Sequence, residues 1–339
     1  MLAWILTKHG DPEKVFRLQE YPDPKPGDGQ VLIDAEGFGL NYADVMAVRG
    51  LYREAPPVPS ILGYEVVGRV EAAGAGVPED LIGRRVVAFT EFGGYAQKIV
   101  TDHRSTAIVP ETTTLGEAAA LATQGCTAWY ASMVLCPLHP LERVLVHSAA
   151  GGVGHLLVQI ALNRGCEVIA IASGSKKLDL LRSMGAQYVL DRKAEDHLDR
   201  LRKLTSSRPI DVSFNAVGGS TFKQDMSMLA SGGRLVLFGG SERGSLGSFG
   251  TLKFVWRMGI LLPIFLMMKS QSLLGVNMLK MSRNKPELLA LCLRQVVEAY
   301  RDGIIRPYVH REFDHTELPE AHRELAAGGT MGKLVVLWK

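Results

Sequence analysis

Seven consecutive residues near the middle of the chain, SAAGGVG from Ser148 to Gly154, have the types and spacing of an anion-binding turn. A β-branched apolar run precedes them and an amphipathic run follows them. Glycines permit a tight turn in which backbone N–H groups approach a pyrophosphate, and the start of the next helix adds partial positive charge. We therefore predict a dinucleotide site here, the alternative being a turn without a ligand. The residues assigned to it are Ser148, Gly151, Gly152, Val153 and Gly154.

The residues after the second predicted strand indicate which dinucleotide the turn would hold. This strand ends at Ser173, nineteen positions after Gly154, where an NAD-binding protein usually has a carboxylate for the ribose 2′-hydroxyl. The sequence there is SGSKK, and Arg192 follows the third strand-like run. Hydroxyl groups and cations suit a 2′-phosphate, which a carboxylate would repel. We predict NADPH as the cofactor, bound by Ser173, Lys176, Lys177 and Arg192, although Lys177 also fits a solvated position at a helix start.

Strand–helix alternation from about residue 142 onward supplies the scaffold for this turn. Strand-like runs, from RVLVHSA to SLLGVNM, are separated by helical patterns such as KKLDLLRSMG, which predicts an α/β fold with a doubly wound parallel sheet. Residues 1–124 instead contain short β runs between Gly- and Pro-rich segments, which predicts a compact antiparallel or barrel-like domain. We expect one domain over 125–279 and another over 1–124, which residues 280–339 rejoin.

Composition excludes several classes of protein. The net charge of +3 is too small to indicate a nucleic-acid surface. The four cysteines have no close partners in sequence, so neither a disulfide framework nor a zinc cluster is expected. No signal peptide is evident, and the most apolar window, GILLPIFLMM, is too short to cross about 30 Å of hydrocarbon. We expect a cytoplasmic protein without a stable membrane anchor.

Nearly the whole chain resembles the zinc-free quinone oxidoreductase branch of the medium-chain dehydrogenase/reductase superfamily. The resemblance is carried by PKPGDGQVLI, LNYADVMAVRGLY, LGYEVVGRVEAAGAGV, VHSAAGGVG, DVSFNAVGG, GGRLVLFGG and GKLVV. ASGSKK and the segment from Ser248 to Met278 are most similar to vesicle amine transport protein homologues, and VHSAAGGVG also resembles polyketide enoyl reductases. The resemblance implies a Rossmann-type domain that binds the dinucleotide and a GroES-like, mostly β catalytic domain.

Departures from the zinc-dependent members of the superfamily indicate that no catalytic metal is bound. Those members have a cysteine where this chain has Asn41 and a histidine where it has Tyr64, and no cysteine lies around residues 90–110. Glu65 alone cannot supply the three or so ligands that a catalytic zinc needs. The histidines show no H-x-x-x-H pairing, and we interpret His147 as a hydrogen-bonded residue at a strand end rather than a ligand.

The resemblance also implies which residues contact the nicotinamide and the acceptor. Asn41 would lie beside the nicotinamide and hydrogen-bond its ribose or a substrate carbonyl, Tyr52 would lie over the pocket, and Tyr64 would point inward. All three are candidate catalytic residues, although the tyrosines fit packing roles equally well. Asp44 is expected to cap a helix that begins nearby. The remaining positions that the resemblance assigns to cofactor binding are Thr127, Val217, Phe238, Gly239, Ser241, Gly275 and Asn277.

The apolar segment from Phe254 to Lys269 has three interpretations. It is richer in large hydrophobic residues than an ordinary surface segment. We favour a place in the core and in a homodimer interface, while a greasy substrate pocket lined by Met267 and Met268, or contact with a membrane surface, stays open. Arg257 and Lys269 alone are too few cations for stable anchoring.

Reduction of an electron-poor acceptor needs no Lewis acid, because the acceptor itself delocalises the incoming charge onto oxygen. The leading hypothesis is an NADPH-dependent, zinc-independent reductase of a quinone or another activated alkene or carbonyl compound. An enoyl-thioester reductase of the polyketide or fatty-acid type is the alternative enzyme. A dinucleotide-binding protein with little turnover, associated with a membrane or a partner, is the alternative of another class.

Overall fold

The computed structural model describes residues 1–245 and 250–338, so Ser248, where the segment similar to the vesicle amine transport protein homologues begins, lies outside the described residues. The chain forms two compact units. One contains Met1–Cys126 together with Met278–Lys339, and the other contains Thr127–Asn277. The first unit is therefore built from two separate stretches of sequence.

The first unit is organised around a β-sheet to which the C-terminal stretch contributes one edge strand and the interior strand beside it. Its strands are β1 (Leu2–Leu6), β2 (Phe16–Glu20), β3 (Gln30–Leu40), β4 (Glu65–Ala73), β5 (Arg85–Phe89), β6 (Lys98–Asp102), β7 (Thr106–Ile108), β14 (Val309–Asp314) and β15 (Lys333–Leu337). The main sheet has the order β14-β15-β3-β4-β5-β7, with β6 also paired to β3, while β1 and β2 form a separate antiparallel pair. Strand β15 runs antiparallel to β3, with Leu334 opposite Leu40.

Helices cover this sheet and bury its apolar side chains. They are α1 (Pro12–Val15), α2 (Tyr42–Val48), α3 (Leu115–Ala120), α11 (Met278–Asn284), α12 (Pro286–Arg301) and α13 (Leu318–Ala326). The core contains Phe38, Tyr95 and Phe313, each at most 1% exposed. Helix α13 lies between β14 and β15 in sequence. The 3-10 turn His315–Glu317 that leads into α13 carries a capping box, in which Glu317 accepts a hydrogen bond from the backbone N–H of Asp314 at 2.7 Å.

The long helical segment from Leu115 is not uniform. After α3 the backbone widens into a π-helical stretch over Leu121–Gly125, returns to α-helix in α4 (Cys126–Trp129), and widens again over Tyr130–Leu135. π-Helical turns of this kind are often found at functional sites.

The second unit is a six-stranded, fully parallel sheet. Its strands are β8 (Arg143–Val146), β9 (Glu167–Ala172), β10 (Tyr188–Asp191), β11 (Ile210–Asn215), β12 (Leu229–Leu237) and β13 (Ser272–Gly275). Its helices include α5 (Gly154–Asn163), α6 (Ser175–Ser183), α7 (His197–Ser207) and α8 (Ser220–Met228). The spatial order β10-β9-β8-β11-β12-β13 is that of a Rossmann-type doubly wound fold, in which the strand order reverses between the first and fourth strands. The predicted α/β fold class is confirmed.

Two helices before β13 expose their apolar side chains. They are α9 (Gly250–Met258) and α10 (Pro263–Lys269). Trp256 is 79% exposed, Ile260 91% and Met267 76%, so the expectation that this segment lies in the core is wrong for the single chain. Most large apolar side chains from 254 to 262 are exposed to solvent. The exceptions are Phe254, Met258 and Leu261, which are half-buried. Within the described residues no single helix is long and apolar enough to span a membrane, while α9 and α10 together, bent at their junction, meet the length and composition criteria.

Candidate functional site

The predicted phosphate-binding turn lies where β8 gives way to α5. Ser148 adopts φ 51°, in the left-handed region, and its carbonyl accepts a hydrogen bond from the backbone N–H of Gly151 at 2.8 Å. Gly154 begins the helix, and a Cβ added there would lie 2.9 Å from the Cα of Ala149. Only glycine therefore allows the helix to start this close to the strand. The fit of the turn to a dinucleotide rests on this close approach and on the N-terminus of a ten-residue helix.

Cations gather at the carboxyl ends of β9 and β10. The backbone N–H of Arg192 donates to the carbonyl of Ala172 at 2.8 Å, which places Arg192 next to Ser173. The pKa of Lys177 is lowered, first by partial burial and then by the charges of Arg192 and Lys193. Lys177 is therefore part of this cation group, whereas Lys176 is exposed on the first turn of α6. Ser173 supplies a hydroxyl where a carboxylate would otherwise stand.

A buried polar network shapes the loop after β11. Asn215 Oδ1 accepts hydrogen bonds from the backbone N–H groups of Val217 and Gly218, both at 2.8 Å, and its Nδ2 donates to Asp225 at 2.7 Å. Asp225 also accepts from Ser213 at 2.8 Å and lies 2.9 Å from His147 Nε2. His147 is thus a hydrogen-bonded residue at a strand end, as predicted. The network fixes the backbone at Val217, one of the predicted cofactor-binding positions.

The other predicted cofactor-binding residues have different degrees of exposure. Gly239 follows β12, and a Cβ added there would lie 2.7 Å from the carbonyl oxygen of Ala216. The backbone N–H of Ser241 donates to the same carbonyl at 3.1 Å, so the loops after β11 and β12 pack backbone against backbone. Thr127 is buried in α4, Phe238 is half-buried, and Gly275 and Asn277 at the end of β13 are exposed.

The predicted residue Asn41 belongs to a buried charged cluster in the first unit. Its side-chain Nδ2 donates to Glu65 Oε1 at 2.8 Å, and its Oδ1 accepts from Lys333 Nζ at 3.2 Å. Lys333 also forms an ion pair with Glu65, and both side chains have no exposed surface. The second carboxylate oxygen of Glu65 accepts from the backbone N–H of Thr123 at 2.7 Å, in the first π-helical stretch.

The two candidate tyrosines pack edge to face. The ring centroids of Tyr52 and Tyr64 are 6.1 Å apart with planes at 88°, and Phe92 lies 5.1 Å from Tyr64 on another side. Burial raises the pKa of both phenols, so each stays protonated and able to donate a hydrogen bond at neutral pH. Tyr64 is 3% exposed, and its hydroxyl forms no hydrogen bond to a protein atom in the described part of the chain. Tyr52 is only half-buried.

Asp44 lies in the first turn of α2, close enough to Tyr64 for its charge to affect that phenol. Its Oδ2 accepts a hydrogen bond from the backbone N–H of Asn41 at 2.8 Å, which confirms that Asp44 caps the helix. Complete burial raises its pKa from the ordinary 3.8 to about 7. Nearby, Tyr95 Oη lies 3.1 Å from His322 Nε2, and burial lowers the pKa of His322 to about 3.

Three residues of these clusters were not assigned from the sequence. Lys333 was part of the quoted GKLVV motif, and a lysine that opens an apolar strand is a weak signal for a buried charge. Asp225 lies within the amphipathic pattern of α8 and carries no distinguishing feature in sequence. Lys193 directly follows Arg192 and could have been included with it. Among the residues described, no group of three or more His, Cys, Asp or Glu side chains could hold a metal ion.

Comparison with known proteins agrees with this two-unit organisation. The family description "Alcohol dehydrogenase GroES-like domain" matches residues 27–143, and "Zinc-binding dehydrogenase" matches residues 152–294. The human synaptic vesicle membrane protein VAT-1 homolog is 29% identical, over 98% of this chain and 85% of the human protein.

Two solved structures are similar along their whole length. The structure of mycobacterial Rv1454c complexed with NADPH is 31% identical, with a TM-score of 0.85, and covers 99% of both chains. Escherichia coli quinone oxidoreductase complexed with NADPH is 26% identical, with a TM-score of 0.86, and covers 99% of this chain and all of the other. With both units matched by family descriptions and a full-length relative above 30% identity, the chain belongs to the medium-chain dehydrogenase/reductase superfamily.

Proposed function

We propose that this protein is an NADPH-dependent oxidoreductase that reduces a quinone or another activated alkene or carbonyl compound without a catalytic metal. The proposal rests on the side chains at the carboxyl ends of β9 and β10. Ser173 stands there in place of a carboxylate, and Lys177 and Arg192 lie close enough for their charges to interact. This set of groups suits a 2′-phosphate, which distinguishes NADPH from NADH.

The residues of the second unit fit the rest of the dinucleotide. The turn from Ser148 to Gly154 would hold the pyrophosphate, because its backbone comes close to the strand end and the N-terminus of α5 favours an anion. When bound, NADPH would supply the hydride. The loop that Asn215 fixes at Val217 would orient the cofactor.

The first unit supplies hydrogen-bond donors for the acceptor. As a quinone or enone gains a hydride, negative charge develops on its oxygen, and a positioned donor stabilises that charge. Asn41 has one amide hydrogen beyond the one that it donates to Glu65, and the phenols of Tyr52 and Tyr64 are protonated. A proton then completes the reduced product, for a quinone the hydroquinone. The aromatic group of Tyr52, Tyr64 and Phe92 suits a flat, apolar acceptor.

We propose in addition that two copies of the chain associate. Helices α9 and α10 expose large apolar side chains, among them Trp256, Ile260 and Met267, which is unusual for a monomer. Strand β13 is also an edge strand of the parallel sheet, with one side unpaired among the described strands. Both features are typical of a surface that a second copy covers.

The test is a screen of quinones, enones and enoyl thioesters as acceptors. The loss of NADPH absorbance measures the oxidation of NADPH with each of them. We expect turnover with quinones or enones. A Gly154→Val variant, in which the added side chain meets the β8 backbone, controls for contaminating reductases and should be inactive. Turnover of enoyl thioesters alone would identify the thioester reductase instead. Tight NADPH binding with no oxidation of any acceptor would identify a binding protein and contradict the proposed activity.

A further inference from the structure

The ion pair between Glu65 and Lys333 is the most deeply buried charged pair in the described structure, with neither side chain exposed. Removing two charges from water costs more than their attraction usually returns, so such a pair is weak evidence of a role in stability. Space for it is made by Gly39 on β3. A Cβ added there would lie 2.5 Å from Glu65 Oε1 and 2.6 Å from Lys333 Nζ.

Each polar atom of the pair has a defined partner. The ammonium of Lys333 donates to Glu65 Oε1, to the carbonyl of Leu40 at 3.2 Å and to Asn41 Oδ1 at 3.2 Å, which uses all three of its hydrogens. Glu65 accepts from Asn41 through one oxygen and from the Thr123 backbone through the other. Of the three side chains, Asn41 alone retains exposed surface, at 6%, whereas Glu65 and Lys333 have none.

The consequence for Asn41 is a fixed orientation of its side-chain amide. Its oxygen faces the ammonium and its nitrogen faces the carboxylate. A flipped amide would place its NH₂ group against the Lys333 ammonium and its oxygen against the Glu65 carboxylate, and both contacts would be repulsive. The charges on the two partners thus select one of the two orientations, which neutral partners would not do as strongly.

We propose that Lys333, together with Glu65, is a positioning residue that fixes the amide of Asn41 for a hydrogen bond to the carbonyl oxygen of the acceptor. This inference rests on the proposed reductase function, because it assigns Asn41 to the acceptor. Lys333 does not touch the acceptor and acts through Asn41. The orientation that they impose on Asn41 gives the two buried charges a role other than stability.

The test uses the paired substitution Glu65→Gln with Lys333→Met, because Lys333→Met alone would leave a buried, unpaired carboxylate that opposes folding. In the paired variant the amide oxygen introduced at position 65 stays on the Thr123 backbone N–H, so its NH₂ group faces Asn41 and favours the opposite orientation of the Asn41 amide. We expect kcat with the best acceptor to fall about tenfold. The melting temperature and the Kd for NADPH should stay close to those of the unmodified protein, since the phosphate turn belongs to the other unit.

A double-mutant cycle with Asn41→Ala separates positioning from a general structural role. If Lys333 and Glu65 act through Asn41, adding the paired substitution to Asn41→Ala should cause no further loss of kcat. If instead the two losses multiply, the pair acts independently of Asn41 and the inference is wrong.

Nuclear magnetic resonance of the Asn41 side-chain amide gives a readout that does not depend on turnover. We expect one pair of slowly exchanging NH₂ resonances in the unmodified protein, and a shifted pair in the paired variant, where the amide group has turned over. Unchanged resonances would contradict the inference. If none of the acceptors tested supports NADPH oxidation by the unmodified protein, the proposed function fails. The resonances alone still decide whether Lys333 orients Asn41.

Discussion

His147 Nε2 lies 2.9 Å from Asp225 Oδ1, and both side chains are buried in the second unit. His147 directly follows β8, and Asp225 lies on α8, so the contact joins the strand that leads into the phosphate turn to the helix that follows the Val217 loop. Asp225 also accepts from Ser213 and Asn215. One carboxylate therefore holds the ends of two neighbouring strands, β8 and β11, at the point where the strand order reverses.

Replacement of Asp225 by alanine should destabilise the second unit, because three buried polar groups lose their partner. We expect the free energy of unfolding to fall by about 3 kcal/mol. Asp199→Ala is the matched control, since Asp199 is exposed and its ion-pair partner in the described structure, Arg202, is exposed as well. The control should change stability by less than about 0.5 kcal/mol. Urea denaturation of both variants measures the difference, and equal losses would show that the network carries no special stability.

Replacement of Lys177 by alanine should weaken NADPH binding specifically. Lys177 lies within the cation group of Arg192 and Lys193, so we expect the Kd for NADPH to rise about tenfold while the Kd for NADH stays unchanged. Lys176→Ala, one residue earlier and exposed, should have the smaller effect. Fluorescence titration gives both constants. If NADH binding weakens equally, Lys177 does not contact the 2′-phosphate.

Replacement of Gly154 by alanine should damage the phosphate turn. The new Cβ would meet the Ala149 backbone at 2.9 Å, and neither segment can move without disturbing the turn. We expect a loss of about 2 kcal/mol in stability and weaker NADPH binding. Gly329→Ala serves as the control because a Cβ there meets no atom within 4 Å. Thermal melts with and without NADPH distinguish the two variants, and a Gly154→Ala protein with normal affinity would show that close packing here is dispensable.

The pH dependence of stability should contain two opposing contributions from the first unit. Burial raises the pKa of Asp44 from 3.8 to about 7, so between these values the folded state keeps a proton that the unfolded chain has lost, and stability falls as pH rises. Burial lowers the pKa of His322 from 6.5 to about 3, so between these values the unfolded chain binds the extra proton, and stability falls as pH falls. The two slopes oppose each other from about pH 4 to 6.5.

Removing one of the two groups by substitution should reveal the pH dependence of stability that the other group contributes. In Asp44→Asn the unfolding free energy should rise with pH by up to about 1.4 kcal/mol per unit in this range, and in His322→Gln it should fall by a similar amount. Asp302→Asn, at an exposed position, should leave the profile unchanged. Denaturant titrations across the range measure the profiles. Parallel profiles for the Asp44 and His322 variants would contradict the assignment.

Charged substitutions on α9 and α10 should separate two associated copies. Trp256→Glu combined with Met268→Glu introduces two carboxylates into the exposed apolar surface, and burying them between copies would be costly. We expect light scattering to report a dimer for the unmodified protein and a monomer for this variant. Ile82→Glu, an exposed apolar position of the first unit, should remain dimeric. A monomeric unmodified protein would refute the proposed association.

The parallel sheet could be predicted because its strands are short β-branched apolar runs with regular helical segments between them, and all six were found where the sequence placed them. The phosphate turn followed from the same pattern. Local signals were also available for α13. A capping box at Asp314 and Glu317 begins the 3-10 turn that leads into the helix, and the buried Leu318, Ala321 and His322 have helical spacing.

Other features depend on contacts that no local pattern contains. Lys333 and Glu65 are 268 positions apart, so the partner that permits a buried lysine is invisible from its neighbours in sequence. The π-helical stretches reflect hydrogen bonds one residue longer than those of an α-helix, which composition does not encode. The apolar content of α9 and α10 predicted burial, but hydrophobicity alone does not say whether the covering surface belongs to the same chain.

Strand β15 has a consequence for the order in which the molecule can be made. It lies between β14 and β3 in the sheet of the first unit, yet it follows the whole of the second unit in sequence. During translation the nucleotide-binding unit leaves the ribosome complete, while β3 still lacks a neighbour along its C-terminal half and Glu65 still lacks its ammonium. The nascent chain must therefore protect an unfinished sheet edge until its last strand is synthesised.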